Sequence, residues 1–261
     1  MKKLIAFLLI LVLCVSACAY GEETWTCPNC GQESTGNFCS NCGTPKPEEW
    51  VCPNCGTAAK GNFCSNCGTE NPSTVKVGDI VTFGTWAGEP IEWQVLEVKE
   101  DGSCILLSVK GLDARPYNTK YTDVTWETCT IREWLNSEFY ENAFSASEKG
   151  KIVFSTVENP DNKFYGTKGG KTTQDYVYLL SLDEEKRYFA SGNARICYAT
   201  AYAKKNGAWT NDAGACWWWL RSPGDVQDSA ASVGSAGNVY TYGYGVHVAD
   251  ACVRPVVCAR L

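Results

Sequence analysis

Hydrophobic and polar positions follow three different patterns along this chain of 261 residues. Residues 4–13 form one uninterrupted apolar run near the N-terminus. Residues 25–69 contain few large apolar side chains and many cysteines. From about residue 75 onward, apolar positions alternate or recur at the spacings of strands and helices. The pattern therefore divides the chain into a leader, a cysteine-rich segment and one large domain.

The hydrophobic pattern of the large domain, residues 76–261, predicts strands at both of its ends. Residues 91–98 alternate, Asp101-Gly102 forms a turn, and residues 104–109 return as a second apolar run, which together indicate a β-hairpin. Further strands are expected later in the domain, at residues 176–180, 217–220 and 253–257.

Three capping-box signatures predict helices between these strands. In each, a threonine or serine precedes a glutamate by three residues: Thr130 with Glu133, Ser145 with Glu148, and Ser181 with Glu184. The first helix is expected to run on to Phe144. Strands at both ends with helices between them indicate the α+β fold class.

The N-terminal residues have the pattern of a bacterial export signal. Two lysines precede an apolar run that is shorter than the roughly 18–20 residues a membrane-spanning helix needs. The next residues, Val15-Ser16-Ala17-Cys18, resemble a lipobox. We therefore expect a lipoprotein signal peptide over residues 1–17, lipidation at Cys18 and a tether over residues 18–24. An ordinary secretory signal cut after Ala17 or Ala19 is the alternative.

This interpretation predicts where the protein resides. A diacylated cysteine anchors a chain durably to a bilayer. The protein is therefore expected to be extracytoplasmic and lipid-anchored to the bacterial cell membrane.

The cysteine-rich segment is a tandem repeat with a period of 25 residues. Each copy consists of CxxC, eight residues and a second CxxC, over residues 25–47 and 48–71. A two-residue spacing lets one tight turn present both thiolates to one ion, and the glycine after each second cysteine tolerates a positive φ. Four thiolates form the closed shell of structural Zn²⁺. We expect two such sites, with ligands Cys27, Cys30, Cys39 and Cys42 in one and Cys52, Cys55, Cys64 and Cys67 in the other.

Each repeat is too small to fold without metal, because one tryptophan and one phenylalanine supply most of its apolar content. The repeats resemble the short zinc ribbons that occur in tandem in many bacterial proteins. Disulfides are the alternative, since an exported segment can meet an oxidising environment. The ribbons could serve as a stalk, a partner-docking module or a metal sensor.

Composition and charge exclude several classes of function. The chain has a single histidine, so catalysis by a Ser-His-Asp triad and a multi-histidine metal site are not expected. Lysine and arginine total 23 against 29 acidic residues, which argues against nucleic acid as a partner.

Four motifs in the large domain resemble a family of extracellular bacterial domains over almost all of residues 76–261. In chain order they are Ile91-Glu92-Trp93-Gln94-Val95-Leu96, Ile131-Arg132-Glu133-Trp134-Leu135-Asn136, Trp218-Trp219-Leu220-Arg221-Ser222-Pro223-Gly224 and Val253-Arg254-Pro255. That family is similar in layout to the C-type-lectin-like and formylglycine-generating-enzyme-like folds. The resemblance implies that the N- and C-terminal strands pair and that a loop-rich segment near the C-terminus forms the ligand surface.

Two features of these motifs predict packing rather than binding. In a strand, Trp218 faces away from Trp217 and Trp219, so the three rings cannot form one platform, and the run is expected to pack in the core. Arg221 and Arg254 are expected to satisfy internal carboxylates or carbonyls.

Residues 225–252 differ in composition from the rest of the chain. They contain no Lys, Arg, Glu, Leu, Ile, Phe or Trp, so we expect them to be unsuited both to a core and to an ordinary charged surface. Tyrosine, serine, glycine and asparagine are typical of adaptable binding surfaces. We expect this segment to bind an extracellular protein or glycan, through Asp225, Asp228, Asn238, Tyr240, Tyr242, Tyr244, His247 and Asp250.

The same composition suggests a more specific hypothesis. Some lectin-like bacterial surface proteins are diversified by retroelements that mutate adenines in asparagine codons. The residues accessible in this way exclude Lys, Glu, Met, Trp and Gln, and Gln227 is the one residue of the segment outside that set. The alternative is a glycine-rich hairpin without diversification.

Six further cysteines lie in the large domain, and sequence does not choose among their pairings: Cys104, Cys129, Cys197, Cys216, Cys252 and Cys258. Formylglycine-generating enzymes bind copper through a cysteine pair, but no matching motif surrounds Cys216 and Cys252. We expect buried thiols or a disulfide there.

The sequence as a whole favours a surface-displayed, ligand-binding lipoprotein that is not an enzyme. A cysteine- or carboxylate-dependent enzyme of the formylglycine-generating-enzyme-like fold is one alternative. A structural or assembly protein, in which the ribbons contact a partner, is the other.

Overall fold

The structure of the protein is a computed structural model that describes residues 24–27, 29–44, 46–47, 49–69, 71 and 74–261. The chain divides into two compact units, with the boundary between Thr74 and Val75. The expected signal peptide, residues 1–17, and the expected lipidation site, Cys18, lie outside the described residues. Within the described ranges, no helix combines the length and the apolar character that crossing a bilayer requires.

Each cysteine repeat contains one two-stranded antiparallel sheet. In the first repeat β1 (Trp25–Thr26) pairs with β2 (Glu33–Ser34), and in the second β3 (Glu49–Val51) pairs with β4 (Ala58–Lys60). The tryptophan indole N–H donates to a glycine carbonyl at the equivalent place in each repeat, at 2.7 Å in both. The sequence repeat is therefore a structural repeat.

The unit from Val75 to Leu261 is a strand-rich mixture of strands and short helices, which confirms the predicted α+β class. Its strands are β5 (Ile80–Trp86), β6 (Glu89–Val98), β7 (Ser103–Ser108), β8 (Asp113–Ala114), β9 (Ser155–Val157), β10 (Thr173–Asp175), β11 (Val177–Tyr178), β12 (Cys197–Tyr198), β13 (Ala215–Cys216), β14 (Trp218–Pro223), β15 (Ser229–Val233), β16 (Val239–Gly245), β17 (Cys252–Val253) and β18 (Val256–Arg260).

The helices are short. They are α1 (Thr130–Trp134), α2 (Tyr140–Ala143), α3 (Ala146–Lys149), α4 (Leu182–Tyr188), α5 (Gly192–Arg195) and α6 (Ala201–Lys205). A 3₁₀ turn at Trp126–Thr128 precedes α1, and a π-helical turn at Leu135–Phe139 joins α1 to α2.

One five-stranded antiparallel sheet has the order β11-β18-β7-β6-β5. The predicted hairpin is confirmed as β6 and β7, with an irregularity between Val95 and Glu97. The C-terminal strand β18 inserts beside β7, with Val256 opposite Leu107. The two ends of the domain therefore share one sheet.

A second five-stranded sheet has the order β16-β15-β14-β17-β8. Its pairs are antiparallel except β14 with β17, which is parallel. Two smaller pairs, β9 with β10 and β12 with β13, complete the strands of this unit. The core contains four fully buried tryptophans, at positions 93, 126, 218 and 219.

Two of the three predicted capping boxes are confirmed and one is wrong. Ser145 caps α3 and Ser181 caps α4, each reciprocally with its glutamate. Thr130 does not cap α1, because it lies inside the helix and Cys129 occupies the cap position. The amide of Thr130 donates instead to the side-chain oxygen of Asn118, at 3.2 Å. Asn118, rather than the predicted local cap, therefore provides a side-chain hydrogen bond at the start of this helix.

The strand predicted over residues 176–180 is limited to Val177–Tyr178. The carbonyls that follow it turn toward Arg221: its guanidinium donates to Leu179 and its backbone amide donates to Leu180. The tryptophan run is core at Trp218 and Trp219, as expected, but Trp217 is only partly buried.

The expectation that residues 225–252 are unsuited to a core is wrong for part of that segment. Strand β15 lies inside the second sheet between β14 and β16, and Ala230, Ala231 and Val233 on it are fully buried. Small side chains suffice here because large ones from β14 fill the neighbouring space. The exposed part of the segment is limited to β16 and the turns around it.

Candidate functional site

Two four-cysteine clusters lie in the N-terminal unit, at the positions that the sequence predicted. In each cluster all four sulfurs lie within 4.8 Å of one another. Cys27 with Cys42 and Cys30 with Cys39 have sulfurs 3.5 Å apart, and the same values recur in the equivalent pairs of the second cluster. Such a set of thiols is suited to holding one metal ion in each repeat.

Backbone turns present the cysteines in pairs. In the first turn the amide of Gly31 donates to the carbonyl of Cys27 at 2.9 Å, and the equivalent bond recurs in all four turns. The glycines adopt positive φ, as predicted, at Gly31, Gly43, Gly56 and Gly68. Any other residue would be strained at these positions.

Threonine hydroxyls contact three of the eight sulfurs. Thr44 lies 3.1 Å from Cys42, Thr57 lies 3.3 Å from Cys55 and Thr69 lies 3.1 Å from Cys67. Hydrogen bonding from Thr44 lowers the pKa of Cys42 to about 6, and hydrogen bonding from Thr57 lowers that of Cys55 to about 5. Thr44 and Thr57 therefore favour the thiolate form at Cys42 and Cys55, whereas burial raises the pKa of Cys64, and the neighbouring thiols raise that of Cys30, to about 11.

The two repeats differ at one position in the second strand of each small sheet. Ser34 in β2 is buried and its hydroxyl accepts a hydrogen bond from the amide of Ser40 at 3.3 Å. Ala59 occupies the equivalent place in β4 and has no polar atom to offer. Ser34 therefore adds a polar contact in the first repeat that the second repeat lacks at this position.

A group of aromatic side chains lies on β16, an edge strand of the second sheet. The rings of Tyr240, Tyr242 and Tyr244 contact one another, with centroids 5.5 to 6.3 Å apart. Tyr242 and Tyr244 are 44% and 41% exposed. The three tyrosines alternate along the strand and share one face, and we call them together with Trp217 the tyrosine surface.

Trp217 is the member of this surface that the sequence did not predict. Its ring lies 4.9 Å from that of Tyr244 and 5.0 Å from that of Trp219. It therefore joins the exposed tyrosines to the buried core. The alternation of side chains along a strand already predicted that Trp217 and Trp218 face opposite ways. Only the structure shows that Trp217 contacts a tyrosine of β16.

A second aromatic group lies beyond the end of β16. The rings of Tyr121 and His247 lie 4.4 Å apart, and both residues are exposed. The charge of Asp228 and its hydrogen bond with Tyr121 raise the pKa of that tyrosine. The predicted residues Asp228 and His247 are therefore brought together by Tyr121, which the sequence did not single out.

The other predicted ligand residues lie in turns around β16. Asp225 is exposed, and its amide donates to the carbonyl of Tyr242 at 2.9 Å. Asn238 is exposed in the turn before β16. Asp250 follows the strand, and its carbonyl accepts from the amide of Trp209 at 2.9 Å. Asp225 therefore borders the tyrosine surface, whereas the other two flank its strand.

Buried amide side chains hold this region in place. Asn162 is 2% exposed and donates to the carbonyls of Pro223, Gly224 and Thr241. Gln227 donates to the carbonyls of Val124 and Lys168, at 2.8 and 2.9 Å. Gln227 is thus part of the framework rather than of the exposed surface.

The two motif arginines have internal partners, as predicted. Arg221 pairs with the carboxylate of Glu184 and donates to the carbonyl of Glu158 at 2.9 Å. Arg254 donates to the carbonyl of Ser108 at 2.8 Å, and its guanidinium lies 5.0 Å from the ring centroid of Trp218. Neither arginine is available to a ligand.

A cleft of about 300 Å³ lies elsewhere in the larger unit, lined by Glu89, Glu92 and Lys110 together with Trp86 and Tyr202. Glu92 and Lys110 are 4.0 Å apart and each is 52% exposed. The acidic groups of this cleft therefore remain open to water. None of its lining residues belongs to the tyrosine surface.

These features define a chain with two four-cysteine clusters suited to metal binding, followed by a mixed α+β domain with an exposed aromatic edge strand. The family model described as Domain of unknown function (DUF6273) matches residues 101–260. The chain belongs to this family. No curated protein matches the chain, and no solved structure matches it.

Proposed function

We propose that this protein is an exported, lipid-anchored binding protein that captures an extracellular protein or glycan on its tyrosine surface. The single observation that carries the proposal is the clustering of Tyr240, Tyr242 and Tyr244 on an exposed edge strand. Two of these rings are more than two-fifths exposed, while Ala230, Ala231 and Val233 on the neighbouring strand β15 are fully buried. Rigid, amphipathic rings on a fixed scaffold are well suited to recognition.

Placement at the cell surface rests on the first residues of the chain. Lys2 and Lys3, the apolar run and the lipobox-like Val15-Ser16-Ala17-Cys18 support export and acylation of Cys18. Partner capture by an anchored protein requires no catalytic group, and the tyrosine surface contains none.

The domain is proposed to have a C-type-lectin-like arrangement. Two features support this: β18 at the C-terminus lies beside β7 near the N-terminus, and the segment between them builds a separate sheet that carries the exposed strand. Fold alone does not determine function, so the ligand is inferred from the surface.

We propose that each four-cysteine cluster holds one structural Zn²⁺. Zinc–sulfur bonds of about 2.3 Å in a tetrahedron place sulfurs roughly 3.8 Å apart. The sulfur–sulfur distances of 3.5 Å for Cys27 with Cys42 and Cys30 with Cys39 are near this value and far beyond a disulfide bond of about 2.05 Å. Bound metal would supply most of the folding free energy of each small repeat, and the eight cysteines would bind it as thiolates.

The retroelement hypothesis extends the proposal. It is supported by the restricted alphabet of residues 225–252 and by the hydrogen bonds that hold Gln227 to the framework carbonyls of Val124 and Lys168. Sequencing the DNA around the gene is the test. A near-identical repeat with adenine substitutions beside a reverse-transcriptase gene is expected, and the absence of both would remove the hypothesis.

Capture of ligand is tested with the full chain on protein and glycan arrays, beside a Tyr242→Ala/Tyr244→Ala variant. Because exposed aromatic residues dominate binding energy, we expect the variant to lose affinity by about tenfold or more. The matched control is Phe154→Ala/Tyr198→Ala, which removes two aromatic side chains of similar exposure, 53% and 50%, outside the tyrosine surface. Equal capture by all three proteins would contradict the proposed site.

The same arrays distinguish the alternatives. A chain that lacks residues 25–69 and loses all capture would favour the assembly role, in which the ribbons contact the partner. Turnover of an arrayed ligand that depends on Glu89 or Glu92, rather than on the tyrosines, would favour an enzyme that uses the carboxylate cleft.

A further inference from the structure

Three of the six cysteines in the larger unit lie together in its core. Cys197, Cys216 and Cys252 are all fully buried. They come from three different strands, β12, β13 and β17. The structure thus gathers residues that are separated by up to 55 positions along the chain, and it narrows the pairings that the sequence left open.

Within this group, Cys197 and Cys216 are directly opposed. Strand β12 is antiparallel to β13, and Cys197 is the register partner of Cys216. Opposed residues of an antiparallel pair project to the same face with Cα atoms about 4.5–5.5 Å apart. That range lies inside the roughly 4.4–6.8 Å spanned by disulfides. The backbone is therefore already positioned for a bond between these two sulfurs.

Cys252 is adjacent but not opposed. Its partner across the parallel pair of β17 and β14 is Trp218, two residues beyond Cys216. A methyl group placed on Gly111 would come within 2.6 Å of the Cys252 sulfur and 3.2 Å of the Cys216 sulfur. The sulfurs of Cys252 and Cys216 therefore both lie beside Gly111, which has no side chain to exclude them. Because Cys197 lies opposite Cys216, all three thiols are close together in the core.

The other three cysteines are not placed for pairing with one another. Cys104 is opposite Ala259 and Cys258 is opposite Ile105, so Cys104 and Cys258 project to opposite faces of their sheet. Cys129 lies in a different part of the core, with its sulfur 3.3 Å from the carbonyl of Trp126.

We propose that Cys197 and Cys216 form a disulfide when the chain folds in an oxidising compartment, and that Cys252 stays a thiol. The oxidant is a disulfide, either of a protein oxidant or of a small thiol compound. The thiolate of one cysteine attacks that disulfide and releases one oxidant thiolate, and the second cysteine then attacks the mixed disulfide and releases the other. The two protein thiols lose two protons and two electrons, and the oxidant disulfide is reduced to two thiols.

The bond forms during folding, before the cluster is covered. In the folded chain both sulfurs are inaccessible, and burial raises the pKa of Cys197 far above its ordinary value. A buried neutral thiol reacts poorly with a disulfide. Strands β12 and β13 have only two residues each, so a covalent link would add a strong constraint to a weak backbone pair.

Peptide mapping of the full chain tests the proposal. The protein is purified from an oxidising compartment, free thiols are alkylated at neutral pH in denaturant with a chelator, and trypsin is added. Cleavage after arginine and lysine places Cys197 in residues 196–204, Cys216 in residues 206–221 and Cys252 in residues 222–260. We expect the first two peptides to be linked, lighter by two hydrogen masses than the two free peptides, and the third to be alkylated at both of its cysteines, Cys252 and Cys258.

Two results would overturn the proposal: alkylation of all three cysteines, or a link between residues 206–221 and 222–260. Thermal unfolding with and without reductant provides an independent readout. The unfolding midpoint of the wild-type chain is expected to fall on reduction, whereas that of a Cys197→Ala variant should not respond. The matched control, Cys252→Ala, should keep the response of the wild-type chain, and loss of that response would also contradict the assignment.

Discussion

Arg221 and Glu184 form a two-pronged ion pair that joins β14 to α4. Nη1 of Arg221 donates to Oε2 of Glu184, and Nη2 donates to Oε1 at 3.0 Å. The arginine side chain is 3% exposed. Oε2 of Glu184 also accepts the amide of Ser181 at 2.8 Å, as the second half of the capping box. One carboxylate therefore caps a helix and neutralises a buried guanidinium.

Loss of the ion pair between Arg221 and Glu184 is expected to lower the free energy of unfolding substantially. In an Arg221→Met variant, Glu184 and the carbonyls of Leu179 and Glu158 lose their donor. Breaking a buried pair typically costs about 3–5 kcal/mol, and urea denaturation should show a loss of that size. The control is Lys163→Met, which breaks an exposed pair with Asp183 on the same helix and should cost about 1 kcal/mol or less. Similar losses in the two variants would contradict the buried role.

Removal of metal is expected to unfold the ribbons. Elemental analysis should find one ion per cluster, and Cys39→Ser and Cys64→Ser should each remove one of them. A chelator should also shift the NMR signals of the indole N–H groups of Trp25 and Trp50, which bond to carbonyls only in the folded repeats. Cys129→Ala, outside both clusters, is the control and should retain all bound metal. Retention of metal by the Cys39 and Cys64 variants would disprove the ligand assignment.

The tyrosine strand depends on Gly243. This residue has φ +74°, and a methyl group placed on it would lie 2.1 Å from the carbonyl oxygen of Ala230. Gly207 has φ +97° with open space around it. We expect Gly207→Ala to cost about 1–2 kcal/mol from backbone strain alone, and Gly243→Ala to cost clearly more because β15 must also move. Equal losses of unfolding free energy would show that the close approach is unimportant.

Stability in acid is expected to depend on Glu148. Its carboxylate accepts hydrogen bonds from the amides of Gly84 and Ser145, at 2.7 and 2.8 Å. Burial raises the pKa of Glu148, but hydrogen bonds from the hydroxyl of Ser145 and from these two amides together lower it by more, so the folded pKa is below the ordinary value. The stabilisation is therefore complete above the unfolded pKa of about 4.3 and is lost as the pH falls through the folded pKa.

A Glu148→Gln variant checks this dependence. It should be about 1 kcal/mol less stable than the wild-type chain at neutral pH, and the difference should shrink as the pH falls below about 4. Urea denaturation over a pH series measures it. Glu141→Gln removes an exposed carboxylate, 64% exposed in its pair with Lys149, and is expected to change stability by less than about 1 kcal/mol throughout. A Glu148→Gln difference that grew in acid would have the wrong sign for this mechanism.

Local chemistry determined the features that the sequence predicted correctly. The cysteine turns need only neighbouring residues and a glycine with positive φ, so spacing alone placed all eight sulfurs. The capping boxes at Ser145 and Ser181 and the hairpin of β6 and β7 are also local, because their partners lie within a few residues. The class of the domain follows from these elements.

Tertiary structure decided what depended on partners far along the chain. Asn118, and not Thr130, provides a side-chain acceptor at the start of α1. The small residues of β15 are buried because this strand pairs with β14. Trp217 contacts Tyr244, and Cys197 lies opposite Cys216, because strands that are separated in sequence are neighbours in the fold. The register of such distant strand pairs cannot be read from a single sequence, because the contacts that stabilise one register form only when the sheet forms.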